Sequence, residues 1–308
     1  MADVLSHKRF QDEAAAYEWV EARLWPNGPV CPRKECGATG DRITKLQGKS
    51  TRIGTYKCKS CRKPFTVKVG TIFEDSHIPM RLWLQAIALL CASKKGISSN
   101  QLHRMLGVTL KSARFMSHRI REAMRTGGLA PVGGYGKPVE IDETFIGKKD
   151  GVEKHPNARG YAHKRTVFAL VERGGEVRTF HIDKADTASI KPIVDANIRK
   201  ESALMTDEAR YYGPIGVEFK YHLTVNHSTG EYARGGVHVN TLENYFSVFK
   251  RGMKGVYQHC SEKHLHRYLA EFDFRYNNRI ALGVDDEARA EKVLKGVKNK
   301  RLTYHIAG

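Results

Sequence analysis

Asp142, Asp207 and Glu243 have 64 and 35 residues between them, and Lys250 follows Glu243 by seven. Carboxylates that converge in a fold repel one another unless a cation neutralises them, and hard oxygen ligands suit Mg²⁺ or Mn²⁺. Two such ions about 4 Å apart can hold the attacking and leaving oxygens of a phosphoryl transfer in line. Taken singly, each acid reads more simply as a solvated surface carboxylate. Strand contexts for the first two, and a lysine two helical turns beyond the third on the same face, reverse that balance.

A second set of residues suits a different metal. Cys31-x4-Cys36 and Cys58-x2-Cys61 lie in turn-forming sequences, with 21 residues between the pairs. Two such knuckles can place four thiolates around one tetrahedral Zn²⁺ in a closed structural site. Ile43, Leu46, Ile53, Tyr56, Phe65, Val67 and Val69 suggest short strands around them, as in a zinc ribbon. So small and polar a segment needs metal binding to fold. Two disulfides are the plainer alternative, disfavoured in a reducing compartment. Cys91 lies in an apolar helix and reads as core; Cys260 has no partnering knuckle and is not read as a ligand.

The elements that must position these groups follow from periodicity. Residues 80–92 read as a buried helix, and Ile97–Met105 and Thr109–Met124 as two more, broken at Gly107-Val108. Ser98 or Ser99 and Thr109 are their expected caps. In the third helix Ala113, Met116, Ile120 and Ala123/Met124 form a core stripe. Its other face carries Lys111, Ser112, Arg114, Phe115 and His118, a candidate major-groove reader in a helix-turn-helix. A solvated face of a small bundle would look similar. Gly127-Gly128 and Pro131–Gly136 read as a flexible break. Beyond it, Val139–Ile146, Arg165–Leu170 and Val177–Ile182 alternate as strands, the last two joined by Gly174-Gly175 as a hairpin. A helix over 187–200, a strand over 203–207, a strand near 218–225 and helices from Thr241 and Ser261 complete an α/β layer with a mixed sheet. Asp142 then lies within the first strand, Asp207 at the end of the fourth and Glu243 on a helix.

Composition bounds the function. The chain has 308 residues, 41% hydrophobic and 28% charged, which excludes wholesale disorder and fibrous repeats. Its longest apolar stretch, Trp83 to Ala92, is far short of the roughly 20 residues of a membrane span. No apolar signal core follows Met1, so a cytoplasmic protein without a membrane partner is expected. Lys and Arg number 52 against 33 acids. Residues 31–130 hold 20 basic and 5 acidic side chains, residues 131–308 hold 29 and 23. A basic first half points to a polyanion, and with these motifs to nucleic acid.

Longer motifs carry a resemblance. They are Cys31-Pro-x3-Cys36, Tyr56-Lys-Cys58-Lys-Ser-Cys61, Val139-Glu-Ile-Asp142-Glu-Thr-Phe-Ile-Gly147 and Thr206-Asp207-Glu208-Ala-Arg-Tyr211. His238-Val-Asn240-Thr-Leu-Glu243-Asn-Tyr-Phe-Ser-Val-Phe-Lys250 and the stretch from His264 to Arg279 complete the set. Over roughly residues 15–280 the chain resembles DDE transposases of bacterial insertion sequences, in particular family fifteen-ninety-five, the ISXO-like group. The resemblance implies a ribonuclease-H-like catalytic fold behind an N-terminal zinc ribbon; with the helix-turn-helix and the break read above, the expected domains are an N-terminal helix and zinc ribbon (1–75), the helix-turn-helix (76–130) and the catalytic domain (131–308). It implies binding of double-stranded DNA at terminal inverted repeats, cleavage there, and joining of 3′-hydroxyl ends to target DNA by a homo-oligomer. Asp142, Asp207 and Glu243 would hold Mg²⁺ or Mn²⁺, Lys250 would contact phosphate, and Asn240, one turn before Glu243, would assist or replace it. Zn²⁺ would be structural. The rival readings are a non-catalytic DNA-binding regulator derived from a transposase, and a plain nuclease.

Overall fold

The computed structural model describes residues 4–154, 156, 160–300 and 302. The chain divides into two compact units, one of residues up to Arg125 together with those from Gly283 onward, the other Thr126–Leu282. The outermost residues of the first and last expected domains, 1–3 and 303–308, lie outside the described residues.

In the first unit, α1 (Lys8–Gln11) and α2 (Glu13–Leu24) meet at Asp12, whose carboxylate accepts from the Ala15 N–H at 2.7 Å. A small antiparallel sheet follows: β1 (Ile43–Lys45), β2 (Tyr56–Cys58) and β3 (Pro64–Phe65). Leu46 and Ile53 fall outside these strands, and Val67 and Val69 lie in the turn after β3. Next come α3 (Met80–Ala92), α4 (Ser99–Leu106) and α5 (Leu110–Met124). Ser98 and Gln101 form a capping box on α4, which ends at Gly107 with φ +65°, a conformation a side chain would strain. Thr109 caps α5 through the Ser112 N–H. Pro79 has no side chain with which to cap α3, and the Glu13 carboxylate does so from α2, accepting from Met80 and Arg81 N–H at 2.6 and 3.1 Å.

The second unit is a five-stranded mixed sheet. Its elements are β4 (Pro138–Ile146), β5 (Arg165–Glu172), β6 (Val177–Ile182), α6 (Thr187–Asn197), β7 (Ala203–Thr206), α7 (Gly213–Gly216), β8 (Tyr221–Thr224), α8 (Asn240–Gly252) and α9 (Leu265–Asn277). The strand order is β6-β5-β4-β7-β8, with the first three antiparallel and β4, β7 and β8 parallel. Alternation along β4 splits the core. Val139 and Ile141 face α6 with Phe168, Leu170 and Leu204. On the opposite face Val167, Ala169 and Val171 of β5 pack under α8 and α9, against Leu242, Phe249 and Leu269. The break expected before this unit is partly tied down: Val132, Gly133 and Gly134 are buried, and the Gly133 and Gly134 N–H groups donate to Glu172 and Ser202. At Gly133, with φ +82°, a Cβ would stand 2.1 Å from the Ser202 hydroxyl.

Residues 283–302 correct the expected boundary at the end of the chain. After Gly283 the chain rejoins the first unit, and α10 (Asp286–Lys295) packs on α2, α3 and α5. Val293, Leu294 and Val297 are fully buried, and Arg289 donates to the Cys91 carbonyl. The apolar stripe of α10 completes a core that the N-terminal helices leave open. No helix among the described residues is long and apolar enough to cross a membrane.

Candidate functional site

Four cysteines converge in the first unit. The Sγ atoms of Cys31 and Cys61 are 3.8 Å apart, those of Cys36 and Cys58 3.6 Å, and all four lie within 4.8 Å of one another. Disulfide sulfurs would stand about 2.05 Å apart. Four thiolates about 2.3 Å from a tetrahedral Zn²⁺ stand about 3.8 Å from one another, which these spacings match. The β1–β2 register, Ile43 opposite Cys58, brings the second knuckle back over the first. Trp25, Tyr56 and Phe65 pack beneath, with Cys31 and Cys58 buried among them. Backbone N–H groups of Cys61 and Ser60 pull the Cys58 thiol down to about 6. The donor set and its spacing fit structural zinc.

The carboxylates are assembled differently. In the parallel β4–β7 pair, Glu140 lies opposite Met205. Two residues further along each strand come Asp142 and Asp207, so continuing that register sets them side by side. Asp142 lies opposite Ala169, whose side chain faces α8 and α9; Glu143 lies opposite Phe168, which faces α6. Strand alternation therefore separates two adjacent acids. Glu143 accepts from the Tyr211 and Tyr212 hydroxyls on its own face, while Asp142 points toward the helix that bears Glu243. Burial, then the charges of Glu143, Asp207 and Glu243, push the Asp142 carboxyl well above the ordinary aspartate range. Burial raises Asp207 too; Glu208 adds to the rise and His227 opposes it. Glu243 is exposed in the first turn of α8. Lys250, two turns on, is half-buried; burial lowers its pKa and the Asp142 charge opposes that.

Asp142 thus lies within electrostatic reach of Asp207, Glu243 and Lys250. They are not closed around a point: among the described residues, the cysteines are the group of three or more possible ligands found within 4.8 Å. Oxygen donors of two half-buried acids, Asp142 within β4 and Asp207 just past the end of β7, fit a hard divalent cation in chemistry. Asn240 is exposed at the start of α8 and Asn244 is exposed one residue after Glu243.

Two nearby groups escaped the sequence reading. His227 Nε2 stands 3.8 Å from Glu243 Oε1, on a turn whose N–H groups at His227 and Ser228 donate to Glu208. Glu140, fully buried on the Asp142 face of β4, accepts from the first turn of α8. An acid two residues before Asp142 in an alternating strand was the available signal for the second. The first had none, because His227 reaches the site through a loop.

In the first unit, Lys111 and Arg114 are exposed on α5 and His118 is half-buried one turn beyond Arg114. Ser112 is engaged in the Thr109 cap. Phe115 does not belong to an open polar face: it packs edge-on against Trp83, beneath the Arg119 guanidinium.

Comparison with known proteins adds sequence likeness to this geometry. Residues 133–277 match the family profile described as ISXO2-like transposase domain, and residues 11–64 that of a transposase zinc-ribbon domain. An uncharacterized protein in transposable element ISH50 of Halobacterium salinarum is 31% identical over 282 residues, spanning 87% of this chain and 92% of that one. An uncharacterized transposase-like protein of Haemophilus influenzae is 27% identical over 103 residues, 33% of this chain and 82% of its own. Among solved structures, the Mos1 strand transfer complex aligns at 13% identity and TM-score 0.29 over 69% of this chain and 74% of that one. A simian T-cell lymphotropic virus intasome with a PP2A regulatory subunit aligns at 13% and 0.29, over 56% and 63%.

Proposed function

We propose, from the premise that this chain belongs to the ISXO2-like transposase family with its zinc-ribbon domain, that it moves an insertion sequence by two phosphoryl transfers. It binds the terminal inverted repeats as a homo-oligomer, cleaves DNA at the element ends, and joins the freed ends to target DNA. The observation that supports the reading is Asp142, set beside Asp207 by strand register and within electrostatic reach of Glu243 and Lys250. Three antiparallel strands followed by two parallel ones, with helices on both faces, support a ribonuclease-H-like catalytic unit.

In the first step water attacks the phosphodiester at the element end; the bond from phosphorus to the 3′ oxygen breaks and leaves a 3′-hydroxyl. In the second, that hydroxyl attacks a target phosphodiester, a new phosphorus–oxygen bond forms and a target 3′-hydroxyl departs. Asp142, Asp207 and Glu243 would hold Mg²⁺ or Mn²⁺, which when bound neutralises the developing negative charge. Lys250 contacts phosphate as a point charge, and Asn240 flanks the same turn of α8. Strand register keeps the two aspartates adjacent, and packing of Leu242 and Phe249 under the sheet keeps Glu243 and Lys250 turned toward them. The zinc ribbon and the α4–α5 pair, read as a helix-turn-helix, bind the ends, with Lys111 and Arg114 foremost and His118 beside them.

The test uses a linear duplex ending in the element's repeat, a supercoiled target, and Mg²⁺ or Mn²⁺. Wild type should give joined product. Asp142→Asn and Asp207→Asn should give neither cleavage nor joining while still binding ends. Cleavage without joining in the wild type would identify a nuclease, and binding with neither reaction a regulator.

A further inference from the structure

Glu140 is an acid in this region that no step uses, and hydrogen-bond donors from three residues, Arg173, Thr241 and Leu242, converge on it. Its side chain is fully buried on β4, on the same face as Asp142. Oε2 accepts from the backbone N–H groups of Thr241 and Leu242 at 2.9 and 3.1 Å. Oε1 accepts from the Thr241 hydroxyl at 2.8 Å and from Arg173 Nε at 2.6 Å, with His238 Nδ1 at 3.3 Å. Two of the donors that a helix start leaves unpaired are thereby satisfied from another element, as Glu13 does for α3. Val239, at the cap position of α8, has no polar side chain for the purpose. Arg173 extends the tie: it donates to the Gly236 and His238 carbonyls at 2.6 and 2.8 Å, and its Nη2 lies 2.8 Å from the Met205 sulfur. Met205 lies opposite Glu140 and two residues before Asp207. One buried carboxylate and its guanidinium therefore join three pieces of chain: the strand of Asp142, the strand of Asp207, and the segment 236–242 that delivers Glu243.

We propose that Glu140, held by Arg173 and His238, is a positioning residue that fixes the start of α8, and with it Glu243, against the strands carrying Asp142 and Asp207. This rests on the metal-site reading of those three acids. Mg²⁺ demands near-ideal octahedral geometry, so an error in helix placement lowers affinity for it before the fold is lost.

The test is Mn²⁺ binding by electron paramagnetic resonance on the full zinc-loaded chain, with Asp142→Asn as the control that removes a ligand. Glu140→Gln should raise the Mn²⁺ dissociation constant by about tenfold or more, as loss of a group that orients metal ligands does. Its circular dichroism should stay that of wild type. Cleavage by this variant should fall further in Mg²⁺ than in Mn²⁺, a split that general destabilisation would not produce. Thr241→Val, which removes one donor and leaves the buried ion pair intact, should weaken Mn²⁺ binding by a smaller factor, about threefold. It also decides the matter if Glu140→Gln does not fold. Mn²⁺ affinity within about twofold of wild type in a folded Glu140→Gln chain, or in Thr241→Val where the first variant does not fold, would overturn the proposal. A wild type that binds Mn²⁺ through Asp142 but neither cleaves nor joins DNA would overturn the transposase reading and leave this one standing.

Discussion

The four cysteines and the three carboxylates Asp142, Asp207 and Glu243 are brought toward one another in opposite ways. Each cysteine pair sits within one short turn, and a three-stranded ribbon has only to bring two turns together. The four sulfurs already stand at spacings a tetrahedral ion requires. The three acids come from two strands and a helix, and no tight turn holds any two of them. Their meeting depends on parallel register, on strand alternation and on a helix start anchored from the sheet. A site written in local turns is set by those turns alone; one written across a sheet is set by strand register and by how a helix docks on it.

That contrast can be broken. Its largest expected effect lies at the ribbon: Cys58→Ser, or zinc removal by a chelator, should unfold it, because structural zinc supplies about 10–16 kcal/mol in such small domains. One Zn²⁺ per chain by elemental analysis, lost along with end binding while residues 126–282 stay folded, is the expected result. Full DNA binding by a zinc-free chain would contradict it.

The carboxylate site should respond by ligand rather than by fold. Glu243→Gln should cut joining by about 100-fold or more, near 3 kcal/mol, with Asn240→Ala mild and Lys250→Ala between them. The reverse ranking of Glu243 and Asn240 would move the third ligand one turn toward the helix start.

End recognition should be more graded. Lys111→Ala and Arg114→Ala should each cost about 1–3 kcal/mol where they read a base, with relaxed sequence preference, or weaken all sequences alike where they touch phosphate. Unchanged affinity and salt dependence in both would remove α5 from the DNA interface.

The smallest effect sharpens the comparison from the side of stability. Asp142 holds its proton more tightly in the folded chain than unfolded, so its contribution to metal-free stability falls as pH rises from about 4 through its raised folded pKa. Asp142→Asn removes that loss. Without divalent cation, it should unfold a few degrees above wild type at neutral pH and show no advantage near pH 3. Added Mg²⁺ should stabilise the wild type and leave the variant unmoved. A variant less stable than wild type at neutral pH without metal would show that Asp142 stabilises the fold.

How much of this was legible followed the length scale of each interaction. The knuckles, the Ser98 and Thr109 caps and the Gly107 stop act within a few residues, and the helices formed close to where the periodicity set them. Alternation in Val139–Ile146 already divided Asp142 from Glu143. Phe115 looked polar-faced by spacing, because Trp83, which covers it, lies 32 residues earlier in the chain. Glu140 and Arg173 meet through antiparallel pairing, and the carbonyls that Arg173 holds are more than 60 residues away. The tail read as part of the second unit by proximity in sequence; the uncovered flank of α3 was the stronger claim on it.

The return of α10 to the first unit carries a consequence for the order of synthesis. The ribosome delivers Val293, Leu294 and Val297 only after the whole of residues 126–282 has emerged. Until then the core around α3 lacks a wall, so the sheet unit can fold first and the basic unit must wait for it. A chain interrupted anywhere within the second unit would carry the ribbon and its helices with an exposed apolar flank, a substrate for proteolysis.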